Sequence, residues 1–278
     1  MKKPNYLKQV QWQDLRHLTF WQKVYNVVLP YPFLLVSWYL VHQSHYAFAF
    51  ICSVFFVITA YRQGHDLFHQ ALGIHRHLAT ALLFIISLLS FSSLHSMKYS
   101  HLFHHYKPLS DDDTEDYLAH QTWYQALLGG LLFRVRIYRH GYHLAPKHFK
   151  PKIIIESLCI LLLSFCAFYY QSALLLYQFA VMFFINASSG LIAVWGLHHD
   201  CDEIGRTERN PIVNALTFNL FYHAEHHLFP AVPTDNLPKL AKRLDKVAPH
   251  FSKNSVVPTL QDIFGNKNDT CPIRQLFA

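Results

Sequence analysis

Residues 46–69, YAFAFICSVFFVITAYRQGHDLFH, join an apolar run to two histidines, His65 and His69, that are four positions apart. As a helix, the run 46–62 is about 25 Å long at 1.5 Å per residue, which is near the thickness of a bilayer core. Residues four apart lie on the same face of a helix, so both imidazoles are expected to point the same way. The stretch therefore predicts a transmembrane helix that ends in a pair of potential metal ligands.

Three other apolar runs resemble the first in length, and the predicted spans cover residues 24–41, 46–62, 153–170 and 173–195. Short polar breaks at 42–45 and 171–172 join these spans into two hairpins. We therefore expect an all-α integral membrane protein with four transmembrane helices. It should form a single domain over residues 1–278, with a weakly ordered tail after about residue 250.

Two further apolar runs, 78–93 and 123–133, are not expected to cross the membrane. If the first crossed, every later cationic loop would lie on the opposite side from the earlier ones. The second is too short to span and leads into Arg134, Arg136 and Arg139, which suits a helix at the level of the lipid head groups. Both runs are therefore predicted to be re-entrant or interfacial helices.

The cationic residues indicate how the chain is oriented. All 24 Lys and Arg lie in three segments, 2–23, 62–152 and 206–274, and neither hairpin break contains one. The positive-inside rule places these segments, both chain termini and any site they carry in the cytoplasm. This bias accounts for the net charge of +7 without a polyanionic partner, so a nucleic acid is not expected. A hydrophobic fraction of 52% also excludes an intrinsically disordered chain.

Histidine is unusually abundant, with 21 residues against 17 Asp and Glu together. Eight histidines form three clusters at helical spacing: His65 and His69; His101, His104 and His105; and His223, His226 and His227. Eight imidazoles suit two transition-metal ions with positions left open for O2, whereas a closed zinc site needs only four ligands. Iron is the redox metal that best fits this set, although ligand type alone also admits copper or zinc. The clusters therefore predict a di-metal site in a cytoplasmic cap, acting on a lipid-soluble substrate.

The clusters and their spacing resemble those of the membrane-bound fatty acid desaturase superfamily, the histidine-box di-iron enzymes. The resemblance extends over about residues 64–240 and is most specific at 219–240, NLFYHAEHHLFPAVPTDNLPKL. It implies that the eight clustered histidines bind two iron ions and that the protein uses O2 to desaturate a long-chain fatty acyl group. It further implies a lipid or acyl-thioester substrate. A separate electron donor, of the ferredoxin or cytochrome b5 type, is also implied, because no donor domain fits within this length.

The resemblance also implies one additional His or Asn ligand near the end of the last span. His198 and His199 are the candidates, and the sequence leaves the choice between them open. Polar residues inside or near the clusters are expected to accept the second ring N–H of the imidazoles and so to fix their orientation. These candidates are Asp66, Asp111, Asp112, Asp113, Asn219 and Glu225.

The sequence leaves two alternative functions open. A hydroxylase or ketolase acting on an acyl chain or a carotenoid would use the same kind of site. A histidine-rich metal transporter is disfavoured, because transport sites usually contain polar residues near the middle of the membrane. The predicted spans offer few such residues, chiefly Asn186 and Glu156.

Overall fold

The computed structural model describes residues 5–108, 110–199, 201, 205–249 and 255–256. Within these ranges the chain is built from helices, and its one β-type pairing is an isolated bridge between Thr207 and Ser255. The predicted all-α class is thereby confirmed. Apart from Ser255 and Val256, the tail that was expected to be weakly ordered lies outside the described residues.

The helices follow one another with mostly short connections, and we number them in chain order. They are α1 (Phe20–Val28), α2 (Pro30–His42), α3 (Tyr46–Phe68), α4 (Arg76–Ser90), α5 (Leu94–Tyr106), α6 (Trp123–Leu128), α7 (Gly130–Leu144), α8 (Lys150–Tyr169), α9 (Ala173–Gly190), α10 (Gly196–His198), α11 (Pro211–Leu216), α12 (His223–Leu228) and α13 (Leu237–Val247). Short 3-10 turns cover Asn5–Gln9, Gln13–Arg16, Asp116–His120 and Thr234–Asn236. A π-helical turn, Leu191–Trp195, joins α9 to α10.

Four stretches are long and apolar enough to cross a membrane: Phe20–His42, Tyr46–Phe68, Lys150–Tyr169 and Ala173–His198. This confirms the predicted number of spans. The largest difference from the predicted ends is in α3, which continues from residue 62 to Phe68 because the turn that carries the first histidine pair is also helical. The outer face of α8 exposes large apolar side chains such as Leu158, Leu161 and Phe165, as expected of a surface that faces lipid.

Small polar side chains hold the first hairpin together. Ser37 Oγ on α2 donates to the carbonyl of Ala49 on α3 at 3.0 Å and lies 2.9 Å from Ser53 Oγ. The Ser53 hydroxyl also lies 3.2 Å from the hydroxyl of Tyr177 on α9. Such contacts satisfy polar groups away from water and let helices approach closely. They fix α3 relative to α9, and each of these spans ends in a histidine-bearing turn.

α4 and α5 form a sharply bent pair, with an angle of 109° between them. Phe91 at the bend has a left-handed backbone conformation, with φ 49°. The pair begins soon after His69. Near the end of α5 the chain is again close to His69, since the Nε2 atoms of His101 and His69 are 3.0 Å apart. The chain thus enters and leaves the helical bundle at one end, as expected of the predicted re-entrant element.

The second predicted interfacial run folds as two helices, α6 and α7, that meet at Gly129. α7 lies so close to α9 that a Cβ atom at Gly130 would be 1.7 Å from the carbonyl oxygen of Ala187. α7 also continues to Leu144, well beyond the predicted run, because its later turns pack against α5. The pair therefore forms part of the bundle wall beside α5 and α9.

Helix α12 carries the three histidines of the third cluster. It packs in a hydrophobic core that is separate from the main core of the bundle. Leu228 and Phe229 pack with Leu240 and Leu244 of α13, and Leu7 contributes from the N-terminal segment. These five side chains are all nearly inaccessible to solvent. These apolar contacts hold α12 against α13 and the N-terminal segment.

Candidate metal centre

Five imidazoles from three separate elements meet at the end of α3. They belong to His65, His69, His101, His105 and His226, and one ring nitrogen of each lies within 4.8 Å of the others. The Nε2 atom of His101 is 3.0 Å from that of His69 and 3.1 Å from that of His105. The Nε2 atoms of His105 and His226 are 2.9 Å apart. We call this set the five-histidine group.

Four further imidazoles form a second set, the four-histidine group. Nitrogens of His104, His198 and His227 lie within 4.8 Å of one another. The Nε2 atom of His223 is 2.7 Å from that of His198 and 3.0 Å from that of His227. The two groups are neighbours, since the rings of His105 and His227 stack with 4.4 Å between their centroids. The structure thus brings all eight clustered histidines together, with one more.

Helical spacing explains how two clusters can each serve both groups. Position i+4 is rotated by about 40° from position i in one direction, and position i+3 by about 60° in the other direction. On α5, His104 at the i+3 position turns to the four-histidine group, and the other two imidazoles face the five-histidine group. On α12 the roles are exchanged, because His226 at the i+3 position joins the five-histidine group.

The ninth imidazole is that of His198. The sequence leaves the choice between His198 and His199 open, and in the structure His198 belongs to the four-histidine group. The neighbouring His199 points elsewhere, with its Nδ1 atom 2.8 Å from the carbonyl oxygen of Ala119 and its ring stacked on Trp195 at 4.5 Å. The π-helical turn immediately before α10 adds a residue to one turn of the span. This extra residue changes which side chains after Trp195 face the site.

The nitrogen spacing fits metal coordination. Six Nε2–Nε2 distances within the two groups lie between 2.7 and 3.3 Å. With metal–nitrogen bonds of about 2.1 Å, two ligands at a right angle are about 3.0 Å apart. The set contains only neutral nitrogen donors, which suit iron, copper or zinc. The two groups therefore fit a pair of transition-metal ions.

The protonation state of four of these imidazoles also favours metal binding. Burial lowers the pKa of His69, His223, His226 and His227 well below 6.5, and the neighbouring imidazoles lower it further. A neutral imidazole has a free electron pair on one nitrogen, which a metal ion requires. These side chains are therefore ready to bind a metal ion at neutral pH.

Two imidazoles on α5 each have a carboxylate beside the second ring nitrogen. The Nδ1 atom of His104 lies 2.8 Å from Oδ2 of Asp113, and Nδ1 of His101 lies 3.1 Å from Oε1 of Glu115. A carboxylate on one nitrogen fixes the ring so that the other nitrogen points into the site. Asp113 is one of the residues predicted to do this, whereas Glu115 was missed.

Asp116 was also missed, although its carboxylate lies near two imidazoles of the four-histidine group. Its carboxylate is 3.5 Å from Nδ1 of His104 and 3.5 Å from Nδ1 of His198. Its side chain is buried at the start of a 3-10 turn, Asp116–His120. The signal for it was present, because the acidic run after the second cluster continues to this residue.

The acidic residues inside the first and third clusters have other partners. Asp66 accepts hydrogen bonds from the backbone N–H of Thr234 at 3.1 Å and from its hydroxyl at 2.8 Å. Glu225 accepts hydrogen bonds from the side chains of Thr207 and Arg209. Both carboxylates therefore anchor the backbone around the clusters. In the part of the chain that the structure describes, neither contacts the imidazoles it was expected to orient.

The remaining three candidates also lie away from the imidazoles. Asp111 and Asp112 are exposed, because the loop turns inward only at the next residue. Asn219 has a left-handed backbone conformation, with φ 67°, and its N–H donates to the carbonyl of Asn214 at 2.8 Å. Asn219 thus shapes the turn before α12, which an Asn tolerates better than most residues.

An apolar cavity of about 410 Å³ reaches the histidines from within the helical bundle. It lies between α3, α5, α7 and α9, with His65 and His198 at one end and Phe50 and Phe184 toward the other. Fifteen residues of α3 separate Phe50 from His65, which is about 22 Å of helix. A long, narrow apolar group can therefore reach both histidine groups.

The comparison with known families agrees with this geometry, since the family model described as fatty acid desaturase matches residues 37–255. The chain belongs to the fatty acid desaturase family. This match covers α3, α5 and α12, which carry the eight clustered histidines.

Two curated relatives share a shorter stretch with this member of the family. They are the sphingolipid delta(4)-desaturases DES1 of Mus musculus and of Rattus norvegicus, each 47% identical over 53 residues. The stretch covers 18% of this chain and 16% of each relative. No solved structure matches the chain.

Proposed function

We propose that this protein uses O2 to desaturate a long-chain fatty acyl group at a histidine-ligated di-iron centre, with electrons supplied from outside. The observation that carries the proposal is the convergence of nine imidazoles, in two adjacent groups, at the end of an apolar cavity. Membership of the desaturase family and the short match to two sphingolipid desaturases support desaturation over hydroxylation or ketolation.

In this proposal each histidine group holds one iron ion. The iron pair, when bound, would supply the O2 activation that an unactivated C–H bond requires. Asp113 and Glu115 keep the imidazoles of His104 and His101 in the orientation that presents Nε2 to the site. The overall reaction removes two hydrogens from adjacent carbons and, with two electrons and two protons from outside, reduces O2 to water.

The cavity determines which carbons react. Its wall is mostly apolar, so each methylene group buried there contributes roughly 0.8 kcal/mol to binding. The carbons that lie beside His65 and His101 are nearest the site. Holding one C–H bond in that position is the protein's main contribution to selectivity. The substrate would be a lipid or an acyl thioester, and the electron donor a separate ferredoxin or cytochrome b5.

The mass of the product tests the function directly. Lipids from a host cell that makes this chain are expected to contain acyl groups lighter by two hydrogens than those of cells without it. Growth without O2 is the control and should abolish the difference. A product heavier by one oxygen would contradict desaturation and support a hydroxylase or ketolase. Metal uptake by vesicles that contain the chain, with no such product, would support a transporter.

We further propose that both termini and the metal centre face the cytoplasm. The charge distribution supports this, because Lys150 and Lys152 begin α8 while the 171–172 break at its other end has no cation. An epitope tag at the N-terminus is expected to bind antibody only after the membrane is permeabilised. In cells that carry the chain in the plasma membrane, the same tag inserted at residues 42–45 should be reached without permeabilisation. The reverse pattern would overturn the orientation.

A further inference from the structure

One wall of the apolar cavity carries a cation, the guanidinium of Arg134 on α7. The side chain is half-buried. Its Nε donates to the carbonyl of Asn186 at 3.3 Å, and its Nη1 to the hydroxyl of Ser92 at 3.4 Å and to Sδ of Met97 at 3.1 Å. Its Nη2 donates to the hydroxyl of Ser189. All of these acceptors are neutral.

Other arginines in the described part of the chain show what a structural arginine looks like in this fold. Arg62 is buried and pairs with the carboxylate of Asp235. Arg209 bonds the carboxylates of Glu225 and Asp245. Among the described residues, no carboxylate forms an ion pair with Arg134. A half-buried charge without a counter-ion is only partly solvated, and an anionic ligand would stabilise it.

The position of this cation suits the polar end of a chain-bearing ligand. Ser189, which accepts from Arg134, precedes His198 by nine residues on the same span, or about 13 Å of helix. The cavity wall between these two points is mostly apolar. Phe184 and Ile192 on this wall are 60% and 59% exposed, so the cavity opens on the outer face of α9. A lipid can enter there from the side.

We propose that Arg134, with Ser92 and Ser189, binds the anionic head group of the substrate, while the chain lies along the apolar wall toward the histidines. A guanidinium presents parallel N–H groups that match two oxygens of a carboxylate or a phosphate. The inference rests on the proposed function, since it names the polar end of the substrate of that site. A neutral ester or amide head group would leave the cation without its anion.

Direct binding tests the proposal in the full-length, iron-loaded protein in an uncharged detergent. The probes are radiolabelled stearate, its uncharged methyl ester and octadecyl phosphate. Stearate or octadecyl phosphate is expected to bind at least about tenfold more tightly than the ester, as for a hydrogen bond to a charged group. The tighter of the two anions identifies the head group as carboxylate or phosphate. Equal affinity for all three probes would overturn the proposal.

Variants of α7 test whether Arg134 causes the preference for anionic probes. Arg134→Gln should lose the preference for the anionic probe, whereas Arg139→Gln, an exposed position on the same helix, should keep it. If Arg134→Gln does not fold, Arg134→Lys retains the charge and should still prefer the anion, with weaker binding. An unchanged preference in Arg134→Gln, or no preference in Arg134→Lys, would overturn the assignment.

The binding result is separate from the proposed chemistry. If the protein prefers anionic chains but forms no desaturated product with iron, O2 and an external electron donor, the proposed function fails and the anion site stands. If it forms the product but binds the ester as tightly as stearate, the function stands and the role of Arg134 is wrong.

Discussion

Replacing His104 or His226 by alanine is expected to abolish O2-dependent product formation. His104 belongs to the four-histidine group and His226 to the five-histidine group. In the proposed centre each change therefore opens the shell of a different ion. Bound iron should fall from about two to about one per chain in each variant, because the other group remains complete. Product is measured by mass spectrometry of the lipids, and iron by elemental analysis of the purified protein.

His77→Ala is the matched control for these two variants. His77 is exposed near the start of α4 and lies outside both groups, so its loss should change neither activity nor iron content. Loss of iron from His77→Ala would show that histidine substitutions disturb the fold in general. Full activity in both His104→Ala and His226→Ala would contradict the assignment of the site.

The spacing of the histidines was enough to predict that the three clusters converge. Each cluster follows an apolar run, and helical periodicity puts its imidazoles on neighbouring faces. The division into five and four could not be predicted. It depends on how α5 and α12 cross, so that His104 and His226 belong to different histidine groups.

The supporting carboxylates were only partly predictable, because they lie in an irregular loop. A run such as DDDTED has no period that tells which side chains turn inward. In the structure Asp113 and Glu115 reach imidazoles, while Asp111 and Asp112 are exposed. The roles of acidic residues within a cluster were equally hard to predict. Asp66, for example, accepts a hydrogen bond from Thr234, which is distant in sequence.

The position of Arg134 in the cavity wall could not be predicted from the sequence. In the sequence, Arg134 is one of three arginines that follow an apolar run, and all three suit a lipid surface. The structure separates them, because only helix packing decides that Arg134 faces α9 while Arg136 lies over the ring of Tyr117 at 4.2 Å. Charge patterns therefore predict the membrane boundary better than they predict a binding group.

His198→Ala and His199→Ala form a matched pair that tests the ninth ligand. His198→Ala is expected to abolish product formation and to lower bound iron to about one per chain, since the Nε2 atom of His198 lies 2.7 Å from that of His223. His199→Ala should keep both irons and most of the activity. That side chain bonds a backbone carbonyl and stacks on Trp195, so its loss removes only local packing.

The outcome of this pair decides whether the π-helical turn sets the ligand register. Both variants remove one imidazole at the end of the same span, so a general loss of stability would affect them alike. Iron content per chain, measured beside the melting temperature, separates a lost ligand from a weakened fold. If His199→Ala loses an iron ion while His198→Ala does not, the register after Trp195 differs from that described and the four-histidine group must be redrawn. If each variant keeps both ions, the remaining eight imidazoles suffice and the ninth is not a ligand.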